Sequence, residues 1–130
     1  MTLDTSAIVA ILRDEPERAE FLKLIEDDSH CIISTVSLLE ASMVLESRDP
    51  VDAPTQLDLF VQRASIEVVP FDREQLMIAR VAFRRFGKGR HPAGLNFGDC
   101  AAYALAESSG EPLLFKGSDF QATDVHRVRE

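Results

Sequence analysis

Along this chain, apolar runs of strand length alternate with stretches of helical periodicity, and that alternation restricts the fold more than any other feature. Cys31-Ile32-Ile33, Ile66 to Val69 and Leu113-Leu114-Phe115 read as strands, and a very short apolar start runs into Asp4. Helical spacing is seen over Ser6 to Leu12, over Glu17 to Asp28 and over Ser37 to Glu46. A Pro- and Asp-rich loop, Asp49 to Pro54, precedes a helix with Leu57, Phe60 and Val61 facing inward. Asp72 can cap a long helix in which Leu76, Ala79, Phe83 and Phe86 recur in steps of three and four until Gly87 stops it. Asn96-Phe97-Gly98-Asp99 opens another helix through Ala106, Gly117 to Phe120 forms a turn, and Val125 to Val128 is a plausible last strand. Such alternation predicts an α/β sandwich with a mostly parallel central sheet flanked by helices.

With 130 residues the chain is read as one domain, 1–130, and 45% hydrophobic against 28% charged residues excludes disorder. Lys+Arg 14 against Asp+Glu 22 leaves a net charge of −8, which argues against coating duplex DNA by bulk charge. Any nucleic-acid contact must then be local. Cys31 and Cys100 lie far apart without zinc-ligand spacing and read as core residues of a reducing compartment. No run approaches a membrane span and the first residues lack the order of a secretory signal, so a soluble cytoplasmic protein is expected, with no membrane partner.

In a parallel sheet, ligands bind beyond the carboxyl ends of the strands. Acids that follow strand-like runs therefore deserve first reading. Asp4 follows the first strand, Glu40 lies in the first turn of the helix after the second, Asp99 opens the helix after a basic loop, and Asp119 follows the strand at Leu113. Side-by-side carboxylates repel, so a cluster that stays ionised near neutral pH needs a cation, and hard oxygen ligands select Mg²⁺ or Mn²⁺. Such an ion leaves positions open for a phosphate oxygen and an activated water. Each acid also has a plainer reading. Asp4 suits a helix N-cap, Ser37 to Glu40 and Asn96 to Asp99 match capping boxes, and Asp119 suits a turn. Only their joint placement is informative.

Positive charge concentrates in one segment, Arg80, Arg84, Arg85, Lys88 and Arg90 with His91, over a helix end and an irregular, mobile loop. Cations there also suit the negative end of the helix dipole. Beside an acidic metal site, Arg84, Arg85, Lys88 and Arg90 would hold a phosphate backbone. A lone loop histidine is not assigned catalysis, and Tyr103 reads as packing. The first two helices and the helix from Ser37 offer apolar residues to a partner helix, although such residues are more often core.

Taken together, Leu3-Asp4-Thr5-Ser6-Ala7, Ser37-Leu38-Leu39-Glu40, Gly87-Lys88-Gly89-Arg90-His91, Leu95-Asn96-Phe97-Gly98-Asp99-Cys100-Ala101 and Leu114-Phe115-Lys116-Gly117-Ser118-Asp119-Phe120 resemble the PIN-domain ribonucleases. More narrowly they resemble the VapC toxins of bacterial type II toxin–antitoxin modules, over essentially the whole chain. The resemblance implies a PIN-domain three-layer sandwich and a Mg²⁺-dependent endoribonuclease, with Mn²⁺ able to substitute. It also implies an RNA substrate, neutralisation by a VapB-type antitoxin and a homodimer. By motif, it implies Asp4, Glu40, Asp99 and Asp119 as the acidic site, with Asp4 and Asp99 as direct metal ligands. Ser6 and Asn96 match supporting polar positions. Where relatives often have Gly-Asn-Asp-Phe, this chain has Ser118, whose hydroxyl still binds locally to backbone. Asp124 recurs in relatives and ranks behind Asp119 as a supporting acid.

Two rivals remain in view. A phosphoryl-transfer domain would need Asp-x-Asp where the chain has Asp4-Thr5-Ser6, or an acceptor Asp where the region of Asp52 is a Pro-containing loop. A non-catalytic domain with a degenerate pocket would usually have lost one of the acids.

Overall fold

The computed structural model describes residues 1–128, so the last two positions of the expected 1–130 domain lie outside the described residues. Four parallel strands form one sheet in the order β3-β2-β1-β4: β1 Thr2–Leu3, β2 Ile32–Ser34, β3 Glu67–Val69 and β4 Leu113–Leu114. Thr2 is in register with Ile32 on one side and with Leu113 on the other, and Ile32 pairs with Glu67. Among the described residues six helices accompany them: α1 Thr5–Leu12, α2 Arg18–Asp27, α3 Thr35–Glu46, α4 Ala53–Arg63, α5 Arg73–Phe86 and α6 Phe97–Ser109.

The two-residue period of a strand sends neighbouring side chains to opposite faces, and here it separates two cores. Leu3, Ile33 and Leu114 pack with α1, α2, α3 and α4, whereas Leu113 packs with α5 and α6. The sheet is thus sandwiched between helical layers, as expected. Cys31 and Cys100 are free and buried, one in each core. Among the described residues no helix is long and apolar enough to cross a membrane.

From β1 the chain steps to β2 and β3 on one side, then crosses by way of α5 and α6 to β4 on the other side of β1. The carboxyl end of β1 is therefore a switch point, where diverging connections leave a crevice. Asp4 stands at that point, its amide donating to the Leu114 carbonyl at 3.0 Å.

Several local expectations need correction. Helix α3 starts directly from the strand: Ser34 is its N-cap, accepting from the Val36 amide at 3.1 Å. Ser37 is therefore a fully buried third residue of the helix, no capping box joins it to Glu40, and Glu40 sits in the second turn. The strand expected over Val125 to Val128 reduces to a single bridge between Leu113 and Arg127, because β4 is too short to support a longer ladder. The basic loop is closed at its base, where Lys88 donates to the Leu95 carbonyl and Leu95 to that of Phe86, both at 2.9 Å. Inside it, His91 Nδ1 accepts from the Ala93 amide at 3.0 Å, and its ring meets Phe86 edge-on. The groove rimmed by the basic residues lies against α5 and α6; the apolar residues of α1 and α2 supply the first core.

Candidate active site

Asp4 leaves β1 in an extended conformation and caps α1, its Oδ2 accepting from the Ser6 amide at 3.0 Å and the Ser6 hydroxyl at 2.6 Å. The same hydroxyl accepts from the Lys116 amide at 2.9 Å. Ser6 thereby ties the first acid to the segment that leads to Asp119. Lys116 is held on its other side by ion pairs to Glu15 at 3.0 Å and Glu17 at 3.2 Å.

Asp99 is the third residue of α6 and half of a complete capping box. Its Oδ2 accepts from the Asn96 amide at 3.1 Å, while Asn96 Oδ1 accepts from the Asp99 amide at 2.9 Å. The plainer reading of both acids is therefore true, yet it does not exhaust them. In each, the cap falls on Oδ2 and leaves Oδ1 outside it. Asn96 supports Asp99 by capping it.

Glu40 reaches the same place from α3. The Thr5 hydroxyl donates to the Ser37 carbonyl at 2.9 Å and draws α3 against the start of α1. Gly98 then admits the side chain, since a Cβ at position 98 would collide with both carboxylate oxygens of Glu40. Thr5 and Gly98 sit inside the motifs with no role of their own expected, and Ser37 serves through its carbonyl rather than as the expected cap. Their signal was present in Asp4-Thr5-Ser6 and Phe97-Gly98-Asp99, but the contact partners lie in other segments.

Electrostatics confirm the convergence. Burial, above all, pushes the Asp4 carboxyl up to about 6, against the Ser6 hydrogen bonds and with help from the Glu40 charge. Burial likewise pushes Asp99 up to about 7, against the Asn96 amide, with the charges of Asp4 and Asp119 and a side-chain contact to Asp119 adding to it. Asp4 and Asp99 are 4% and 9% exposed, whereas Glu40 is half-buried and Asp119 exposed. Glu40 thus acts on Asp4, and Asp4 and Asp119 act on Asp99, which links the four acids in series, two inside and two more exposed.

Among the described residues no three acidic, histidine or cysteine side chains form a ready-made metal cage. Mg²⁺ is commonly held by only one or two carboxylates and several waters. Two buried hard-oxygen donors, each with an oxygen beyond its cap and each resisting ionisation, fit such a cation.

Asp124 stands apart. Its Oδ1 accepts from the Tyr103 hydroxyl at 2.6 Å and its Oδ2 from Arg85 at 3.1 Å, so both oxygens are committed. Partial burial works against ionisation, but the Tyr103 hydrogen bond and the Arg85 charge outweigh it and hold the carboxyl below its usual range. Tyr103 accordingly does more than pack, and Arg85 is neutralised. Arg84 and Arg90 line a groove with Phe97, Cys100 and Ala101, and Lys88 is exposed on the loop.

Comparison with known proteins gives a consistent family. The PIN domain profile matches residues 1–125. A Ribonuclease VapC of Mycolicibacterium smegmatis is 54% identical over 129 residues, covering 98% of this chain and 99% of that one. Among solved structures, Mycobacterium tuberculosis VapC20, described as a Sarcin-Ricin loop cleaving toxin, superposes with a TM-score of 0.80 at 17% identity, covering 99% of this chain and 98% of that one. VapBC2 from Rickettsia felis, bound to a DNA fragment from its promoter, gives 0.74 at 17% identity, with 98% and 96% covered. At those identities the structural likeness speaks for the fold.

Proposed function

The chain belongs to the VapC branch of the PIN-domain family, and from that premise we propose that it is the toxic component of a type II toxin–antitoxin system, a metal-dependent endoribonuclease. The observation that carries the proposal is the convergence of Asp4, Glu40, Asp99 and Asp119 at the switch point of the sheet, with Asp4 and Asp99 buried and resisting ionisation. Support for RNA as substrate comes from the high-identity relative named a ribonuclease.

Asp4 and Asp99 would hold Mg²⁺, with Mn²⁺ able to substitute. When bound, that ion supplies Lewis-acid polarisation of a phosphodiester and an activated water. The remaining work falls to the chain. Ser6 and the Asn96 capping box fix the two inner carboxylates in orientation, which matters because a small misplacement of a reacting group costs large factors in rate. Glu40 and Asp119, at the mouth, accept hydrogen bonds from water and orient it. Arg84, Lys88 and Arg90 offer cationic contacts to the phosphate backbone, while Arg85 is spent on Asp124. A VapB-type antitoxin is the partner that neutralises the activity, a reading supported by the VapBC assembly among the structures of like fold. A homodimer is the assembly we propose for the active protein.

The test is cleavage of a pooled small-RNA substrate by the purified protein with Mg²⁺, with Mn²⁺ and with chelator, beside folded Asp4→Asn and Asp99→Asn variants. Cleavage that needs the metal and is lost in both variants is the expected result. Equal cleavage by all three proteins, or undiminished cleavage in chelator, would overturn it.

A further inference from the structure

A groove of about 520 Å³ between α5 and α6 is lined by Phe83, Arg84 and Arg90 from the α5 side of the chain and by Phe97, Cys100 and Ala101 from α6, together with apolar neighbours such as Leu76. Phe97 is 82% exposed, more than any other large apolar side chain described. It is the first residue of α6, two positions before Asp99 and next to Gly98, which abuts Glu40. The Arg90 guanidinium lies over the Phe83 ring, 5.2 Å from its centroid. Among the described residues, neither Arg84 nor Arg90 pairs with a carboxylate.

These features fit one kind of occupant. A chain of net charge −8 has gathered two cations without carboxylate partners and one bare aromatic face, that of Phe97, along this groove. Aromatic faces with flanking arginines recognise unpaired nucleobases and the phosphates that join them, because every base presents a π-face and every linkage a negative charge. A second copy of the chain, placing this patch against itself, would bring like charges together. An acidic protein segment would satisfy the arginines and leave the Phe97 face unused.

We propose that Phe97, with Phe83, Arg84 and Arg90, forms a stacking subsite for an unpaired nucleobase next to the phosphodiester to be cut. The inference rests on the ribonuclease reading and adds to it the residue that seats a base beside the cut. Phe97 adjoins Gly98, whose backbone abuts the Glu40 carboxylate, so a base on Phe97 lies one residue from the acids along the chain.

The test compares wild type with Phe97→Ala, Phe97→Leu and Phe97→Trp on a single-stranded oligoribonucleotide, with Mg²⁺ present. Phe97→Ala and Phe97→Leu should raise KM roughly tenfold with a smaller change in kcat, and Phe97→Trp should restore it, since stacking needs a π-face rather than apolar bulk. In an Asp99→Asn background, 2-aminopurine at the stacked position should be quenched on binding, and Phe97→Leu should abolish the quench. Unchanged KM in Phe97→Leu while wild type cleaves would overturn the subsite alone. Equal rescue by Leu and Trp, or a change in oligomeric mass by light scattering that accounts for the KM effect, would assign the face to packing or to a second copy. Absence of cleavage by wild type on any RNA would instead reject the ribonuclease reading beneath it.

Discussion

Asp4 and Asp124 are the same residue type in two regions whose charges are settled in opposite ways. Asp124, after β4, has its countercharge built in: Arg85 and the Tyr103 hydroxyl occupy both oxygens and favour its ionised form. Asp4, at the end of β1, is buried beside Glu40 and Asp99 and is offered only neutral hydrogen bonds, from Ser6 and the Thr5 backbone, which burial outweighs, so its ionised form is disfavoured. A carboxylate with an internal partner is a strut. One buried among other acids resists ionisation, and a nearby cation would favour its charged form, as the proposed function requires.

The largest effect expected from this contrast is on cleavage. Asp4→Asn and Asp99→Asn should each lower kcat/KM by at least about 100-fold, whereas Asp124→Asn should leave most of it. Comparable losses at all three positions would erase the distinction. Next, Gly98→Ala drives a Cβ into Glu40 and should reduce kcat/KM by roughly tenfold; Gly98→Ala combined with Glu40→Ala should recover stability but not activity, a coupling read from a double-mutant cycle.

Stability should separate the regions by sign. Asp4 and Asp99 have folded values of about 6 and about 7, above the ordinary 3.8, so the metal-free folded state binds more protons than the unfolded chain between those limits. Their stabilising contribution is then complete below about pH 4 and is lost as pH rises toward 7. In chelator, urea unfolding should show Asp4→Asn to be more stable than wild type at pH 7 by about 1–3 kcal/mol, because Asn keeps the cap and removes the charge. Added Mg²⁺ should favour wild type instead. Asp124 has a depressed value, so its contribution is present at neutral pH and fades on acidification, and Asp124→Asn should destabilise at pH 7. The smallest effect is on salt dependence: Arg84→Gln and Arg90→Gln should each flatten the slope of log binding against log salt by about 0.7, the value for one single-strand phosphate contact, and Arg85→Gln should not.

Much of the architecture was legible because strands and helices announce themselves by period. The runs at Cys31, Ile66 and Leu113 became β2, β3 and β4, and the acids after them lie at the carboxyl ends of the sheet. What was misread was local and cooperative. Helix α3 starts earlier than its apolar spacing suggests, because Ser34 is both the last strand residue and the cap, and no periodicity marks a junction of zero length. Asp124 looked like a spare site acid until Tyr103 and Arg85, 21 and 39 residues away, proved to hold it.

By itself the sequence determined the α/β alternation, the order of the acids along it and the motifs that carry the family likeness. These depend on residue type and spacing, which a chain displays without folding. Tertiary structure alone decided which acids go uncompensated, that Glu40 reaches Asp99's helix through the space at Gly98, and that Phe97 stands bare beside them. Each of those depends on the distance between segments remote in sequence, and charge balance, close approach and exposure arise only once the sheet has brought the segments together.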